Sequence, residues 1–310
     1  MIKHYPILCI FLLFSILSAS QEIKKFEVQD FDLSGNVKSC QVITDYGQEI
    51  FEFDVLGRLI KATTRYNAED RDITSYIFKN DDLVEKRVES FKDNEIDLSS
   101  SLAHFYSIDS VENKVIKEQI ISYDKEFVEA QEYHYDSNNQ LTRIIISHEN
   151  AVDEVLIEHT KYEGEHTVTY FENGIIQKSV RESVKKGTKK EAVKVILTKN
   201  YLDGEPNMAE EVTIDENDLI ISKQGFRYDT GEGGYVSFEK RFFEYNEEGI
   251  LSKETIRLGN SAAVKEYIFQ FDDNAQKNWV KKIITPDNSF VTRRITYYPK
   301  TIAKIEVPNK

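Results

Sequence analysis

One short pattern recurs along this chain and limits what the chain can fold into. The pattern begins with an aromatic residue, any residue and a second aromatic residue. Asp or a polar substitute follows, then a short turn, and then an aliphatic residue that begins the next strand. The clearest copy contains Phe51, Phe53, Asp54, Gly57 and Leu59. Residues i and i+2 of a strand point to the same face, so the two aromatic side chains form one stripe. Because Asp54 and Gly57 are residues that close tight turns, the pattern predicts a β-hairpin.

Further copies keep the same order of residue types. The clear ones contain Tyr133, Tyr135 and Asp136, then Phe243, Tyr245 and Gly249, and near the C-terminus Phe269, Phe271, Asp272 and Trp279; looser ones begin at Phe31, Tyr76, Tyr170 and Ile214. The spacing between copies is uneven and is widest around Tyr170 and Ile214. Uneven spacing favours hairpins with variable outer loops over a solenoid, whose coils must match in length to stack. We expect an all-β protein in which antiparallel β-hairpin repeats form an extended or curled β-meander sheet.

The first twenty residues are predicted to lie outside this fold. Lys3 precedes an apolar run over residues 7–17, and the small residues at positions 18–20 come directly before Gln21. This arrangement is typical of a secretory signal peptide, with cleavage between Ser20 and Gln21. The run is about half of the roughly 20 residues that a membrane-spanning helix needs, so no transmembrane segment is expected. The mature protein is therefore expected to be exported, to the periplasm or the extracellular space.

Residues 21–310 are predicted to form a single β-hairpin repeat domain, with a division near residues 185–190 as the alternative. The sequence there is Lys185, Lys186, Gly187, Thr188, Lys189 and Lys190. Such a run can contact an anionic partner, but lysines around a glycine also describe an exposed hairpin tip that discourages edge pairing. We favour the tip. Cys9 lies in the apolar run, so Cys40 is the one cysteine of the mature chain, and we expect it to be buried in a strand.

The charge balance of the chain limits the classes of molecule that it can bind. The 310 residues include 40 Lys and Arg against 54 Asp and Glu, for a net charge of −14. A surplus of negative charge repels a phosphate backbone, so nucleic acid is excluded as a partner. A glycan, another envelope component or another protein fits the composition.

Motifs of catalysis and cofactor binding are missing from the sequence. The glycine cluster at residues 231–234 lacks the spacing of a dinucleotide fingerprint, and no nucleophile elbow occurs. His134, His148, His159 and His166 lack metal-ligand spacing and are expected on the solvent face of strands. Acidic clusters near Asp93 and Asp215 indicate solvated turns rather than calcium sites. We therefore predict no catalytic residue, no metal site and no cofactor.

The segment Phe53–Leu59 resembles the YD repeat of the rearrangement-hotspot and teneurin-like proteins, a β-hairpin with Tyr-Asp, a turn glycine and Arg-Leu. Near the C-terminus, Phe271 with Asp272, residues 278–282 and residues 293–298 resemble the last units of small secreted YD-like proteins of Gram-negative bacteria. The resemblance implies a β-hairpin repeat and no activity. Most copies in this chain lack the Gly-Arg pair.

These observations favour an exported, non-catalytic β-repeat protein with a binding or structural role in the envelope or at the cell surface. The alternative is a secreted hydrolase that uses paired carboxylates, for example on glycans, since such pairs are recognised by distance in the fold. The aromatic stripe suits either a sugar-binding platform or a buried face, and burial is the default. An outer-membrane barrel is disfavoured, because the strands lack sustained apolar alternation flanked by aromatic girdles.

Overall fold

The computed structural model describes residues 23–44, 46–187 and 191–299, so the expected signal peptide with Ser20 and Gln21 lies outside the described residues. The prediction of an all-β, antiparallel hairpin meander is confirmed, because consecutive strands pair antiparallel. A 3-10 helix, Val28–Phe31, precedes the strands. The strands are β1 Val37–Thr44, β2 Gly47–Phe53, β3 Leu59–Arg65, β4 Arg71–Lys79, β5 Asp82–Lys92, β6 Glu95–Ile96, β7 Leu102–Asp109, β8 Val115–Ser122, β9 Phe127–Tyr135, β10 Leu141–Ser147, β11 Val152–Tyr162, β12 Glu165–Glu172, β13 Ile175–Lys186, β14 Ala192–Leu202, β15 Glu205–Ile214, β16 Ile220–Asp229, β17 Gly234–Tyr245, β18 Leu251–Leu258, β19 Ser261–Phe271, β20 Trp279–Thr285 and β21 Ser289–Tyr297.

The turns between strands follow from local side-chain chemistry. The Asp54 carboxylate accepts the backbone N–H groups of Leu56 at 2.9 Å and Arg58 at 3.0 Å, while Gly57 takes a φ of +84°. A carboxylate in this position replaces a backbone acceptor, and a glycine adopts positive φ without steric cost. The same acceptor geometry recurs at Asp136, Asp215 and Asn246. Each of these residues therefore ends one strand and starts the return.

The described chain divides into two compact units. The terminal unit comprises Lys25–Phe105, Ile120–Phe127 and residues 265–299, and the middle unit comprises residues 23–24, Tyr106–Gln119 and Val128–Val264. In the terminal unit, β1 pairs with β2 on one side and with β21 on the other. The core of this unit is formed by buried apolar residues from the N-terminal segment and the first strands: Val28, Leu33, Val37, Cys40, Phe53 and Leu59.

The pairing of the first and last strands corrects one expectation. An extended or curled meander was predicted, but Cys40 lies opposite Ile295 and Val42 lies opposite Arg293 in a ladder that joins β1 to β21. The hydrogen bonds of this ladder satisfy backbone groups that an open sheet would leave at its two edges. Turn chemistry acts over a few residues, so it carries no information about a partner strand at the other end of the chain.

In the middle unit, β9 to β18 pair in sequence order through antiparallel ladders. One side of this sheet, here called the core face, carries the buried residues Tyr133, Tyr135, Ile144, Val155 and Ile157, which cluster with Ile116 of β8. The other side is called the opposite face. Alternation along each strand and the register of each pair assign every strand residue to one of the two faces. Both faces carry ion pairs, since Lys194 and Glu182 lie 3.0 Å apart on the core face and Arg143 pairs with Glu154 on the opposite face.

Candidate functional site

Two acidic residues, Glu118 and Glu254, are buried in the described part of the chain. The hydroxyls of Tyr106 and Tyr133 donate to Glu118 at 2.8 Å each, whereas Arg241 donates to Glu254 at 3.0 Å. Burial, followed by the charge of Glu118, raises the pKa of Tyr133, so its hydroxyl keeps the proton that it donates. Each carboxylate is thus held by its own set of donors, as buried structural groups are.

The histidines that the sequence singled out occupy different surroundings. His159 and His166 stack with ring centroids 5.6 Å apart on the core face. His134 lies on the opposite face, where its Nε2 is 3.4 Å from a carboxylate oxygen of Glu132. Within residues 23–44, 46–187 and 191–299, no three His, Cys, Asp or Glu side chains group as a metal site would require.

The repeat residues predicted from the sequence lie mostly in the cores and turns of the two units, whereas Phe271 is exposed. Phe51, Phe53 and Leu59 pack in the core of the terminal unit, and Tyr133 and Tyr135 pack in the core of the middle unit. Phe243 lies opposite Glu254, and the Tyr245 hydroxyl donates to the Ile220 carbonyl at 2.8 Å. Gly249 has a φ of +75° in the turn after Asn246. Phe269 contacts both Phe271 and Trp279, with ring centroids 6.2 and 5.9 Å apart.

A second aromatic cluster lies on the opposite face of the middle unit, where no repeat residue was predicted. One row of paired residues crosses β14 to β17 and consists of Lys199, Ala209, Phe226 and Ser237. Next to this row, Tyr228 of β16 pairs with Tyr235 of β17. The rings of Tyr228 and Tyr235 meet edge to face, with centroids 5.3 Å apart. We call the set Lys199, Tyr201, Ala209, Phe226, Tyr228 and Tyr235 the tyrosine patch.

The tyrosine patch combines exposed ring surface with a small residue at its base. Ala209 is 5% exposed, whereas the three tyrosines are half-buried. The ammonium of Lys199 lies 5.4 Å from the centroid of the Tyr235 ring. Burial, followed by the neighbouring hydroxyls of Tyr201 and Tyr228, raises the pKa of Tyr235. The phenol groups of Tyr201 and Tyr228 therefore lie close to that of Tyr235.

The Tyr235 hydroxyl is also buried and has no hydrogen-bond partner among the described residues. A buried polar group without a partner costs about 1–3 kcal/mol, and such groups need an explanation in a folded protein. The ring faces of tyrosine are apolar and its hydroxyl is polar, so a cluster of three offers stacking and hydrogen bonding together. This combination suits a ligand that has both apolar faces and many hydroxyls.

The sequence contained one signal for this cluster. Tyr228 and Tyr235 flank the glycine cluster at residues 231–234, and the loop interpretation of that cluster agrees with the turn between β16 and β17. A hairpin there places the two tyrosines opposite each other. Tyr201 cannot be added from the sequence, since it comes from β14, two strands away from β16, and its approach depends on the register of three ladders.

Comparisons with known proteins place the chain in no family. No family model matches the chain, and no curated protein matches it. The solved structures that are similar to it include two porin-like proteins. A porin-like protein from Bacteroides uniformis is 9% identical, with 84% of this chain and 96% of that chain covered and a TM-score of 0.33. A porin-like protein from Bacteroides vulgatus is 10% identical, with 85% and 98% covered and a TM-score of 0.25. At these low TM-scores, neither likeness carries a conclusion about fold or function.

The resemblance to YD-repeat proteins is wrong. No family model matches the chain, so no model of the YD-repeat family does. The physical reason lies in the turns. An Asp that accepts two backbone N–H groups, followed by a residue with positive φ, is a general way to close a hairpin. The segment Phe53–Leu59 therefore indicates an antiparallel hairpin and does not indicate membership of a family.

Proposed function

We propose that this protein is an exported, non-catalytic envelope protein that binds carbohydrate through the tyrosine patch. The observation that carries the proposal is the convergence of Tyr201, Tyr228 and Tyr235 around the small, buried Ala209. Aromatic side chains that group together and keep part of their ring surface exposed mark interaction sites. Tyrosine rings match the apolar faces of sugar rings, while phenol and ammonium groups match sugar hydroxyls.

Export is supported by the sequence. The apolar run over residues 7–17 ends in Ser18, Ala19 and Ser20, as secretory signals do. Mass spectrometry of protein from the envelope fraction is expected to give a chain that begins at Gln21. Retention of Met1 in that material would contradict export by cleavage.

The two sheet faces of the middle unit support a location outside the bilayer. Lysine and arginine side chains on a lipid-facing surface cost about 2–4 kcal/mol each near the bilayer midplane. Ion pairs occur on both faces, for example between Lys194 and Glu182 and between Lys253 and Glu244. No helix in the described residues is long and apolar enough to cross a membrane. We expect release of the protein by a salt and carbonate wash, and retention in the membrane pellet would contradict this location.

Carbohydrate binding is tested by substitution in the patch. Purified residues 21–310 are screened against glycan arrays and envelope polysaccharides, first as the parent and then as Tyr228→Ala. The matched control is Tyr162→Ala, which removes a tyrosine that is 69% exposed and lies outside the patch. We expect loss of binding in Tyr228→Ala and retention in the control. Equal loss in both variants, or no binding by the parent, would contradict the proposal.

The hydrolase alternative has its own test on the same preparation. Glu118 and Glu254 are the buried carboxylates in the described residues, so they are the first candidates for an acid and a base. We expect no turnover of generic glycosidase, esterase and protease substrates. Turnover that Glu118→Gln or Glu254→Gln abolishes, with unchanged far-ultraviolet circular dichroism, would favour the hydrolase.

A further inference from the structure

A pair of cations lies on the same face as the tyrosine patch, further along the same strands. The register places Gln224, Lys240 and Arg257 in one row across β16, β17 and β18. The Lys240 ammonium and the Arg257 guanidinium each lie 5.1 Å from the centroid of the Phe242 ring. Both cations are therefore held at one place by contact with an aromatic ring.

These cations have no carboxylate partner among the described residues, although the surrounding acidic residues do have partners. On this face, Glu244 is 2.7 Å from Lys253, and Glu211 is 3.7 Å from Lys185. Glu239 and Glu254 belong to the core face, where both contact Arg241. Lys240 and Arg257 thus leave an uncompensated positive charge on a chain whose net charge is −14.

The tyrosine patch and the pair Lys240 and Arg257 lie close enough for one extended ligand to contact both. Tyr235 and Lys240 are both on β17 and, because of the bulge beside Gly225, on the same face. Their partners on β16, Tyr228 and Gln224, are four positions apart, and a strand rises about 3.4 Å per residue, so the two sites lie about 14 Å apart. Lys199 adds a third cation, inside the tyrosine patch. Exposed charges further apart than about 8 Å are largely screened at physiological ionic strength, so the local positive charge outweighs the distant negative charge of the chain.

We propose that the tyrosine patch and the pair Lys240 and Arg257 form one binding face for an anionic polysaccharide. This inference rests on the proposed carbohydrate binding and names the class of carbohydrate. The tyrosines would contact the sugar rings, and the two cations would contact carboxylate or sulfate groups carried by the sugars. Guanidinium groups recognise such planar and tetrahedral anions through several N–H donors.

The test compares chains of equal length and different charge: a polyuronate, a sulfated polysaccharide and a neutral glucan. The variant is Lys240→Gln with Arg257→Gln. The matched control is Lys161→Gln with Arg227→Gln, which removes the same charge from exposed residues of the core face. We expect the first variant to weaken binding of the anionic chains by about tenfold, as two exposed ion pairs would. Binding of the anionic chains by the control variant is expected to match the parent.

The outcomes separate this inference from the function on which it rests. Tyr228→Ala is expected to abolish binding of every chain, whereas the Lys240 and Arg257 variant is expected to lose only the preference for anionic chains, and added salt should remove the same preference. Equal affinity of the parent for neutral and anionic chains would overturn the anionic inference and leave carbohydrate binding standing. Binding to anionic lipid vesicles with no binding to any polysaccharide would overturn both.

Discussion

The guanidinium carbon of Arg293 lies 3.5 Å from the centroid of the Trp279 ring. From this position Arg293 donates hydrogen bonds to the backbone carbonyls of Phe31 and Asp32, at 3.0 and 3.1 Å. The Trp279 indole N–H donates to the Asp32 carboxylate at 2.8 Å. The last two strands therefore hold the N-terminal segment in the terminal unit through charge-assisted bonds to backbone and side chain.

Arg293→Lys is expected to destabilise the protein by about 1.5–3 kcal/mol. Lysine keeps the positive charge but lacks the planar guanidinium group that stacks on Trp279 and donates to two carbonyls. The measurement is the denaturation midpoint, together with the rate of proteolysis within residues 25–34. Arg294→Lys, at the exposed neighbouring position, serves as the control and is expected to change neither. Equal midpoints for the two variants would contradict the assigned contacts.

Gly57→Ala is expected to destabilise by about 1 kcal/mol, because the turn requires positive φ at this position. An added Cβ would lie 3.5 Å from the nearest atom of Val28, which is ordinary contact, so the cost comes from the backbone and not from packing. Gly234→Ala is the control, since its Cβ would meet open space and its φ is not positive. The comparison is made by chemical denaturation, and a smaller loss at Gly57 than at Gly234 would show that the turn is assigned wrongly.

These turns were predictable because their chemistry is local. Asp54, Gly57 and the aromatic residues before them lie within seven positions of one another, and their types determine a hairpin whatever the rest of the chain does. The hairpin that was expected at Phe31 does not form, because distant parts of the chain determine the local structure there. Phe31 ends a 3-10 helix and Asp32 has a φ of +56°, since long-range contacts to Arg293 and Trp279 outweigh the local pattern.

The tyrosine patch was not predictable, because its parts meet only through register. Tyr201 reaches Tyr228 and Tyr235 across β15, and a shift of one residue in any of the three ladders would turn a tyrosine to the core face. The ladders also contain bulges, at Asn200 and at Gly225, which alter the register. Bulges of this kind leave no clear mark in the residue types of one sequence.

Tyr133→Phe is expected to destabilise by about 1.5–3 kcal/mol, because it removes one hydroxyl donor from the carboxyl group of the buried Glu118. Tyr170→Phe is the control in the same sheet, since the Tyr170 hydroxyl makes no hydrogen bond with the described residues. Unfolding free energies from urea titration distinguish the two. A neutral effect of Tyr133→Phe would mean that Tyr106 alone satisfies the carboxylate.

Tyr235→Phe is expected to leave the stability unchanged or to raise it by about 1 kcal/mol. The substitution removes a buried hydroxyl that has no partner among the described residues and keeps the ring that contacts Tyr228 and Lys199. Tyr245→Phe is the contrasting variant, because that hydroxyl donates to the Ile220 carbonyl. Thermal unfolding of both variants is the measurement, and a loss of stability in Tyr235→Phe would reveal a partner for its hydroxyl.

Cys40 makes the stability of the terminal unit depend on pH in the alkaline range. Burial raises the pKa of the thiol from 9.0 to about 11, and the nearby charge of Arg293 opposes part of that rise. Because the folded-state pKa is the higher one, the contribution of the protonated thiol is fully present below about pH 9 and is lost as the pH rises through about 11. The free energy of unfolding is therefore expected to fall across this range by on the order of 2 kcal/mol more in the parent than in Cys40→Ala. Tyrosines that titrate nearby are present in both proteins, so their effect cancels in the difference. Urea titrations at a series of alkaline pH values give that difference, and parallel profiles for the two proteins would show that the thiol is not buried as described.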